Sequence, residues 1–290
     1  MTESNLLDGK GIALKVREQV RQQVEKRVAQ GHRAPGLATV LVGEDPASQV
    51  YVRNKHRAAE KAGIVNFHKE LPADISQQGL LQVIDELNND DAVDGILCQL
   101  PLPKHLDEDA VIMAIDPQKD VDGFHPQSTS ALYQGKPNFV PCTPKGCMVL
   151  LDEAGIDLNG KNAVVVGRSH IVGKPMAHLL LGANCTVTIC HSRTQDLASH
   201  TRKADVVVAA VGRSEMLTDE HISEGTVVID VGINRGEDGK LRGDVDFAKV
   251  SPVAKAITPV PGGVGPMTIA MLMYNTCLAH QRRLGIEDES

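Results

Sequence analysis

The chain has no tryptophan, three tyrosines and four phenylalanines among 290 residues. So few rings leave little surface on which to stack a planar substrate, which raises the weight of any tyrosine near a candidate site. Positive charge is also short. Thirty Lys and Arg stand against 37 Asp and Glu, a net charge of -7, and no local basic cluster reverses the balance. A nucleic-acid surface is therefore not expected. No apolar run approaches membrane-spanning length. The six cysteines, Cys98, Cys142, Cys147, Cys185, Cys190 and Cys277, make no Cys-x-x-Cys and have no His-x-x-x-His beside them. That removes the usual zinc sets, and no metal is expected. The polar start, Met1-Thr-Glu-Ser-Asn5, carries no secretion signal. The expectation is reduced thiols in a cytoplasmic protein. What remains, 42% hydrophobic and 23% charged residues, is an ordinary globular composition at a length suited to two domains.

Apolar periodicity sets the order of elements. Ile12, Val16, Val20, Val24 and Val28 recur every four residues, predicting a helix over 10–30 with Gly31 as its stop. Leu37–Val42 reads as a buried strand. A helix follows, opened by Pro46 and free of Gly and Pro until Gly63. Strands are expected at 64–70 and 95–98. Helices are expected at 76–88, capped by Ser76 with Leu80, Leu81, Ile84 and Leu87 inward, and at 107–114. Strand–helix alternation of this kind builds a mostly parallel sheet with ligands at its carboxyl edge. Residues 120–143 read as irregular and as the domain boundary. Thr143 is expected to cap a helix over 145–154, with Pro144 at its first position. Gly160–Gly167 brackets a three-valine strand that enters a glycine turn and an apolar helix over 176–181. Strands are expected again at 186–190, 204–209 and 226–231, a polar turn at 236–243, and a terminal helix over 267–279.

Three stretches carry chemistry. On a helix, Ser48, Tyr51 and Lys55 share a face with Val52 and Ala59 nearby. A lysine on such a face either snorkels or, desolvated, acts as a neutral base. Asp122-Gly123 is either a plain turn or a carboxylate offered to a substrate amine. After the valine strand, Gly167-Arg168-Ser169 with Gly173 departs from Gly-x-Gly-x-x-Gly, yet strand, glycine turn and helix still form a phosphate platform. The next strand ends in Cys190-His-Ser-Arg193 with no carboxylate for a ribose 2′-hydroxyl. Ser192, Arg193 and Arg168 suit a 2′-phosphate, pointing to NADP over NAD; the alternative is three surface residues without a ligand. Gly212 and Gly232, at strand ends, read as places of close cofactor approach.

Tyr51-x-x-x-Lys55, Gln99-Leu-Pro-Leu-Pro103, Asp120-Val-Asp-Gly-Phe124, Pro141-Cys-Thr-Pro144, Gly167-Arg-Ser169, Cys190-His-Ser192 and Pro259-Val-Pro-Gly-Gly-Val-Gly-Pro-Met-Thr268 stand in an order that resembles the bifunctional methylenetetrahydrofolate dehydrogenase/cyclohydrolase family over nearly the whole chain. The resemblance implies a two-domain α/β fold with a cleft between the domains. The folate-binding catalytic domain would span 1–143, completed by a C-terminal helix over 266–290. A Rossmann-like NADP-binding domain with a parallel sheet would span 144–265. It implies oxidation of a folate one-carbon bridge with NADP, then hydrolysis, by a homodimer. Lys55 would be the central catalytic residue, assisted by Gln99, Tyr51 and Asp122. Ser48, Tyr51, Leu100, Asp122, Pro261, Gly262 and Gly265 would bind folate. Gly167, Arg168, Ser169, Ser192, Arg193 and Ile233 would hold NADP. A monofunctional dehydrogenase on the same fold is the alternative.

Overall fold

Two parallel sheets organise the chain. The computed structural model describes residues 6–236 and 238–286; the polar start at 1–5, the last four residues of the expected 266–290 segment and Glu237 lie outside them. The chain divides into two compact units. One comprises Leu14–Cys142 with the described residues from Ile269 onward. The other comprises the described residues through Ala13 with Thr143–Thr268. The start of the chain thus groups by contacts with the second sheet. The cause is local: Leu7 N donates to Ile257 O at 2.9 Å, and Leu6 bridges Ile257.

In the first unit, helix α1 (Gly9–Ala29) buries Val16, Val20 and Val24 but leaves Val28 47% exposed. A four-residue spacing drifts around a helix of 3.6 residues per turn, so the stripe leaves the core by its last member. Strand β1 (Gly36–Val42) is buried throughout and runs parallel between β2 (Val65–Leu71) and β3 (Gly95–Cys98). Between β1 and β2 lies α2 (Pro46–Lys61), with Pro46 in its first turn and Asp45 accepting from Ser48 N at 2.8 Å. Helix α3 (Gln77–Asn88) is capped by Ser76. Its Leu80, Ile84 and Leu87 pack with Ala38, Val40 and Val42, and with Val111 of α4 (Glu108–Ala114). The stretch expected to be irregular holds a further helix, α5 (Pro126–Tyr133), opened by His125, whose ring accepts from Gln127 N.

In the second unit, α6 (Cys142–Glu153) begins at Cys142. Thr143 thus lies inside the helix, bonded side chain to side chain with Thr268 at 2.9 Å, rather than capping it. Strand β4 (Asn162–Val166), α7 (Gly173–Gly182), β5 (Thr186–Cys190), α8 (Leu197–Thr201), β6 (Val206–Ala209) and β7 (Val227–Asp230) follow. The expected turn at 236–243 lies within a hairpin, β8 (Asn234–Arg235) with β9 (Leu241–Arg242). Helix α9 (Phe247–Val250), β10 (Ala256–Ile257) and α10 (Val264–Arg283) complete the chain. The last helix starts three residues earlier than its apolar run, because Pro266 is tolerated in a first turn. The sheet order is β10-β7-β6-β4-β5, all parallel. This is a doubly wound arrangement whose direction reverses between β4 and β6, where such sheets bind ligands.

Candidate active site

In the first unit, the residues expected to carry catalysis meet at the carboxyl ends of β1 and β3. Lys55 is only 9% exposed, because α2 turns Ser48, Val52, Lys55 and Ala59 inward. Its Nζ donates to Gln99 Oε1 at 2.9 Å. Gln99 follows β3, its N–H donating to Val40 O and its Nε2 to Leu100 O, so the acceptor oxygen is held toward the lysine. Burial lowers the Lys55 pKa, against the opposing pull of the Asp122 carboxylate. Asp122 is shifted the other way: burial raises it, while Lys55 and a hydrogen bond from the Cys142 side chain draw it back. Two groups of opposite charge are thus both pushed toward neutrality by their surroundings, a mark of functional sites. Tyr51, one turn before Lys55, is 36% exposed, and Leu100 packs against the β1–β3 core.

Asp120, two residues earlier, has a role that the sequence motif alone does not show. It is buried and accepts from Phe124 N, His125 N and Ser128 Oγ, which closes the loop that presents Asp122. Burial raises it to about 6 despite those donors. The alternation Asp-Val-Asp ahead of Gly123 was the available signal: two carboxylates two apart, one turned into the loop and one toward the lysine.

In the second unit, Gly167 N donates to Cys190 O at 2.8 Å, so the segments leaving β4 and β5 run side by side. Arg168, Ser169, Ser192 and Arg193 are all exposed there. Ser169 Oγ accepts from Val172 N and Gly173 N, shaping the turn into α7. Ile233, 43% exposed, sits beside Gly265: a Cβ at Gly265 would lie 3.6 Å from Ile233 Cδ1. Pro261 is exposed and Gly262 half-buried on the loop before α10.

Gly232 and Gly243 are approached closely from within the chain. A Cβ at Gly232 would fall 2.3 Å from Asp244 Oδ1, and one at Gly243 would fall 1.8 Å from Asp230 Oδ2. What approaches them is a pair of buried carboxylates, and beside Gly212 a Cβ would meet open space. Asp244 accepts from the successive amides of Val211, Gly212 and Arg213 and from Asn234 Nδ2. Asp230 accepts from Gly232, Asp244 and Val245 amides, and burial lifts it to about 7. These two residues fix the loops leaving β6 and β7, including the one that carries Ile233. An aspartate in the segment Gly-Asp-Val after a polar turn was the only sequence sign of them.

All six cysteines are free and buried, and burial pushes Cys98 and Cys147 up to about 12, where a thiol is inert. Among the described residues no cluster of three or more His, Cys, Asp or Glu is placed to hold a metal, and no helix is long and apolar enough to cross a membrane.

Fold and site together define a class: a two-unit α/β chain with a desolvated lysine–amide–carboxylate site in one unit and a doubly wound, nucleotide-type sheet in the other. Residues 7–122 match the family model described as "Tetrahydrofolate dehydrogenase/cyclohydrolase, catalytic domain", and residues 141–284 match its "NAD(P)-binding domain". The chain belongs to the tetrahydrofolate dehydrogenase/cyclohydrolase family. It is 62% identical to the bifunctional protein FolD of Magnetococcus marinus over 273 residues, 94% of this chain and 96% of that protein. Among solved structures, the bifunctional FolD enzyme of Campylobacter jejuni matches with a TM-score of 0.94 and 48% identity, covering 96% of this chain and 99% of that one. The Trypanosoma brucei FolD enzyme, complexed with NADP and an inhibitor, matches with a TM-score of 0.93 and 39% identity over 98% of this chain and 99% of that one.

Proposed function

We propose that the protein oxidises 5,10-methylenetetrahydrofolate to 5,10-methenyltetrahydrofolate with NADP+ and then hydrolyses the product to 10-formyltetrahydrofolate. The observation that carries this is the buried Lys55, bonded through Nζ to Gln99 and facing the charge of Asp122. High identity to bifunctional relatives over nearly the full chain supports the pair of activities.

When bound, NADP+ supplies the acceptor for the hydride that leaves the one-carbon bridge. The donor set fits it: two exposed arginines and Ser192 beside a glycine turn, with no carboxylate at the end of β5. Gly167, Arg168, Ser169, Ser192, Arg193 and Ile233 would hold it. The carbon losing hydride lies between two nitrogens whose lone pairs stabilise the cation formed. The protein has no proton to remove in that step, and its work is positioning. Asp122 would accept from the pterin amino edge, and Tyr51, Ser48 and Leu100 would meet the substrate; Pro261, Gly262 and Gly265, on the loop before α10, are further proposed folate residues.

Hydrolysis does need a base. Water adds to the methenyl carbon and must lose a proton before a carbon–nitrogen bond opens. A lysine whose pKa burial lowers can, in its neutral form, take that proton. Its own N–H is committed to Gln99 Oε1, which leaves the nitrogen lone pair for the water. A monofunctional dehydrogenase would not require so perturbed a lysine. We read the product as a one-carbon donor for purine biosynthesis in the cytoplasm. A homodimer is supported by the exposed Leu181 and Ile189 on and beside β5, the edge strand of the five-stranded sheet.

The test is one progress curve with 5,10-methylenetetrahydrofolate and NADP+, following NADPH and the methenyl species together, with NAD+ in parallel. NADPH rising with little methenyl build-up beyond the enzyme-free control is expected. Matching accumulation would leave only the dehydrogenase, and no turnover would end the proposal.

A further inference from the structure

Helix α10 is apolar from Ile269 to Met273 and then carries Asn275, which is fully buried. Its Nδ2 donates to Val121 O at 2.8 Å and to Val140 O at 3.0 Å, and lies 3.6 Å from Cys142 Sγ. With two carbonyl oxygens as neighbours, that atom must be the nitrogen of the amide. Its Oδ1 has no hydrogen-bond partner among the described residues. A buried, unpaired carbonyl is costly, and an apolar side chain would avoid it. What the position supplies is therefore the pair of N–H donors.

Those donors act where the site is built. The Val121 carbonyl belongs to the peptide that joins Val121 to Asp122. Fixing its oxygen fixes the plane from which the Asp122 side chain departs. Cys142, whose sulfur also touches the amide, donates through its thiol to Val121 O at 3.4 Å, and the same side chain draws the Asp122 carboxyl down. The segments are also locked sterically. Gly123 has φ +76°, and a Cβ there would sit 2.7 Å from Pro141 N. One side chain on α10 thus ties together the two backbone segments that carry Asp122 and Cys142.

We propose that Asn275 is a positioning residue for the Lys55 site, its amide setting the Asp122 carboxylate by clamping the Val121 and Val140 carbonyls. This rests on Asp122 being a folate contact, as read above. The device lies far along the chain, on α10, and makes the contact rigid.

The test is a double-mutant cycle of Asn275→Leu with Asp122→Ala in the full chain, reading KM for 5,10-methylenetetrahydrofolate, KM for NADP+ and the rate of methenyl hydrolysis. Asn275→Leu alone is expected to raise the folate KM about 10-fold, the cost of a small misplacement, with the NADP+ KM unchanged. In the Asp122→Ala background its effect on folate KM should vanish, because it acts through that carboxylate. If thermal melting shows that the leucine variant does not fold, Asn275→Ala replaces it, removing the donors with a smaller side chain. An unchanged folate KM, or an effect that persists undiminished beside Asp122→Ala, overturns the clamp. If Asp122→Ala alone leaves folate KM unchanged, the reading of Asp122 fails first and takes the clamp with it.

Discussion

The two sheets handle charge in opposite ways. In the Lys55 unit the reactive groups are buried side chains: Lys55 lies on the inward face of α2, bonded to Gln99, and burial shifts both it and Asp122. In the Thr143–Thr268 unit the expected recognition groups, Arg168, Ser192 and Arg193, are exposed. The buried charges there, Asp230 and Asp244, are satisfied almost wholly by backbone amides. The difference follows from the work proposed for each. Proton transfer near neutral pH needs a group whose pKa has been moved, and burial moves it. Gripping a phosphate needs fixed, fully charged donors on a rigid frame, and the frame can be hidden.

The sharpest way to break the comparison is at Lys55. Lys55→Arg keeps the charge but cannot lose its proton, and it is expected to lower methenyl hydrolysis about 10²- to 10⁴-fold, the range of general-base contributions. Lys55→Ala should do the same. Decay of the methenyl absorbance measures it, and an arginine variant that hydrolyses normally would remove the base role. In the wild type the rate should rise with pH as the lysine loses its proton, with the midpoint below the ordinary lysine value because burial lowers it.

In the second unit the largest loss should come from the hidden frame rather than from the exposed arginines. Asp244→Ala strands the amides of Val211, Gly212 and Arg213, and about 3 kcal/mol of stability is expected to go with it, read by denaturant unfolding. Gly243→Ala should be comparably severe, since its methyl would collide with Asp230. Replacing Arg168 and Arg193 together by glutamine should leave stability alone and raise KM for NADP+ about 10- to 100-fold, one charge-assisted contact each, with KM for NAD+ little changed. Equal losses for both cofactors would place the 2′-phosphate elsewhere.

Much of this was legible in the chain. Strand positions at 36–42, 95–98, 162–166 and 186–190 follow from short apolar runs bounded by Gly, Asn or Thr. The Lys55 face follows from Pro46 and helical spacing. What escaped was of two kinds. Helix α5 is short and polar, with only the residues from Pro126 to mark it, so periodicity had nothing to detect. Asp120, Asp230, Asp244 and Asn275 matter through partners as far as 154 positions away, and a polar residue bonded to distant backbone looks like any loop or helix residue until the chain is folded.

The smallest effect tests whether the first unit really differs, since it too has a carboxylate tied to amides. Asp120 accepts from two amides but also from the Ser128 hydroxyl at 2.7 Å. Its carboxyl rises from 3.8 to about 6, chiefly through burial. A raised pKa means that the folded chain holds an extra proton between those values, so this group's contribution to stability falls as pH climbs through that window. Above it the folded protein carries a buried anion that depends on its donors. Ser128→Ala is therefore expected to cost about 1–2 kcal/mol near pH 8, where a donor to an ionised group is lost, and progressively less below pH 6. Unfolding curves of both proteins across pH 5 to 8 measure it. A cost that does not change with pH would mean that Asp120 keeps one charge state throughout, held like Asp244 by its amides alone, and the contrast between the two units would narrow to Lys55 and Asp122.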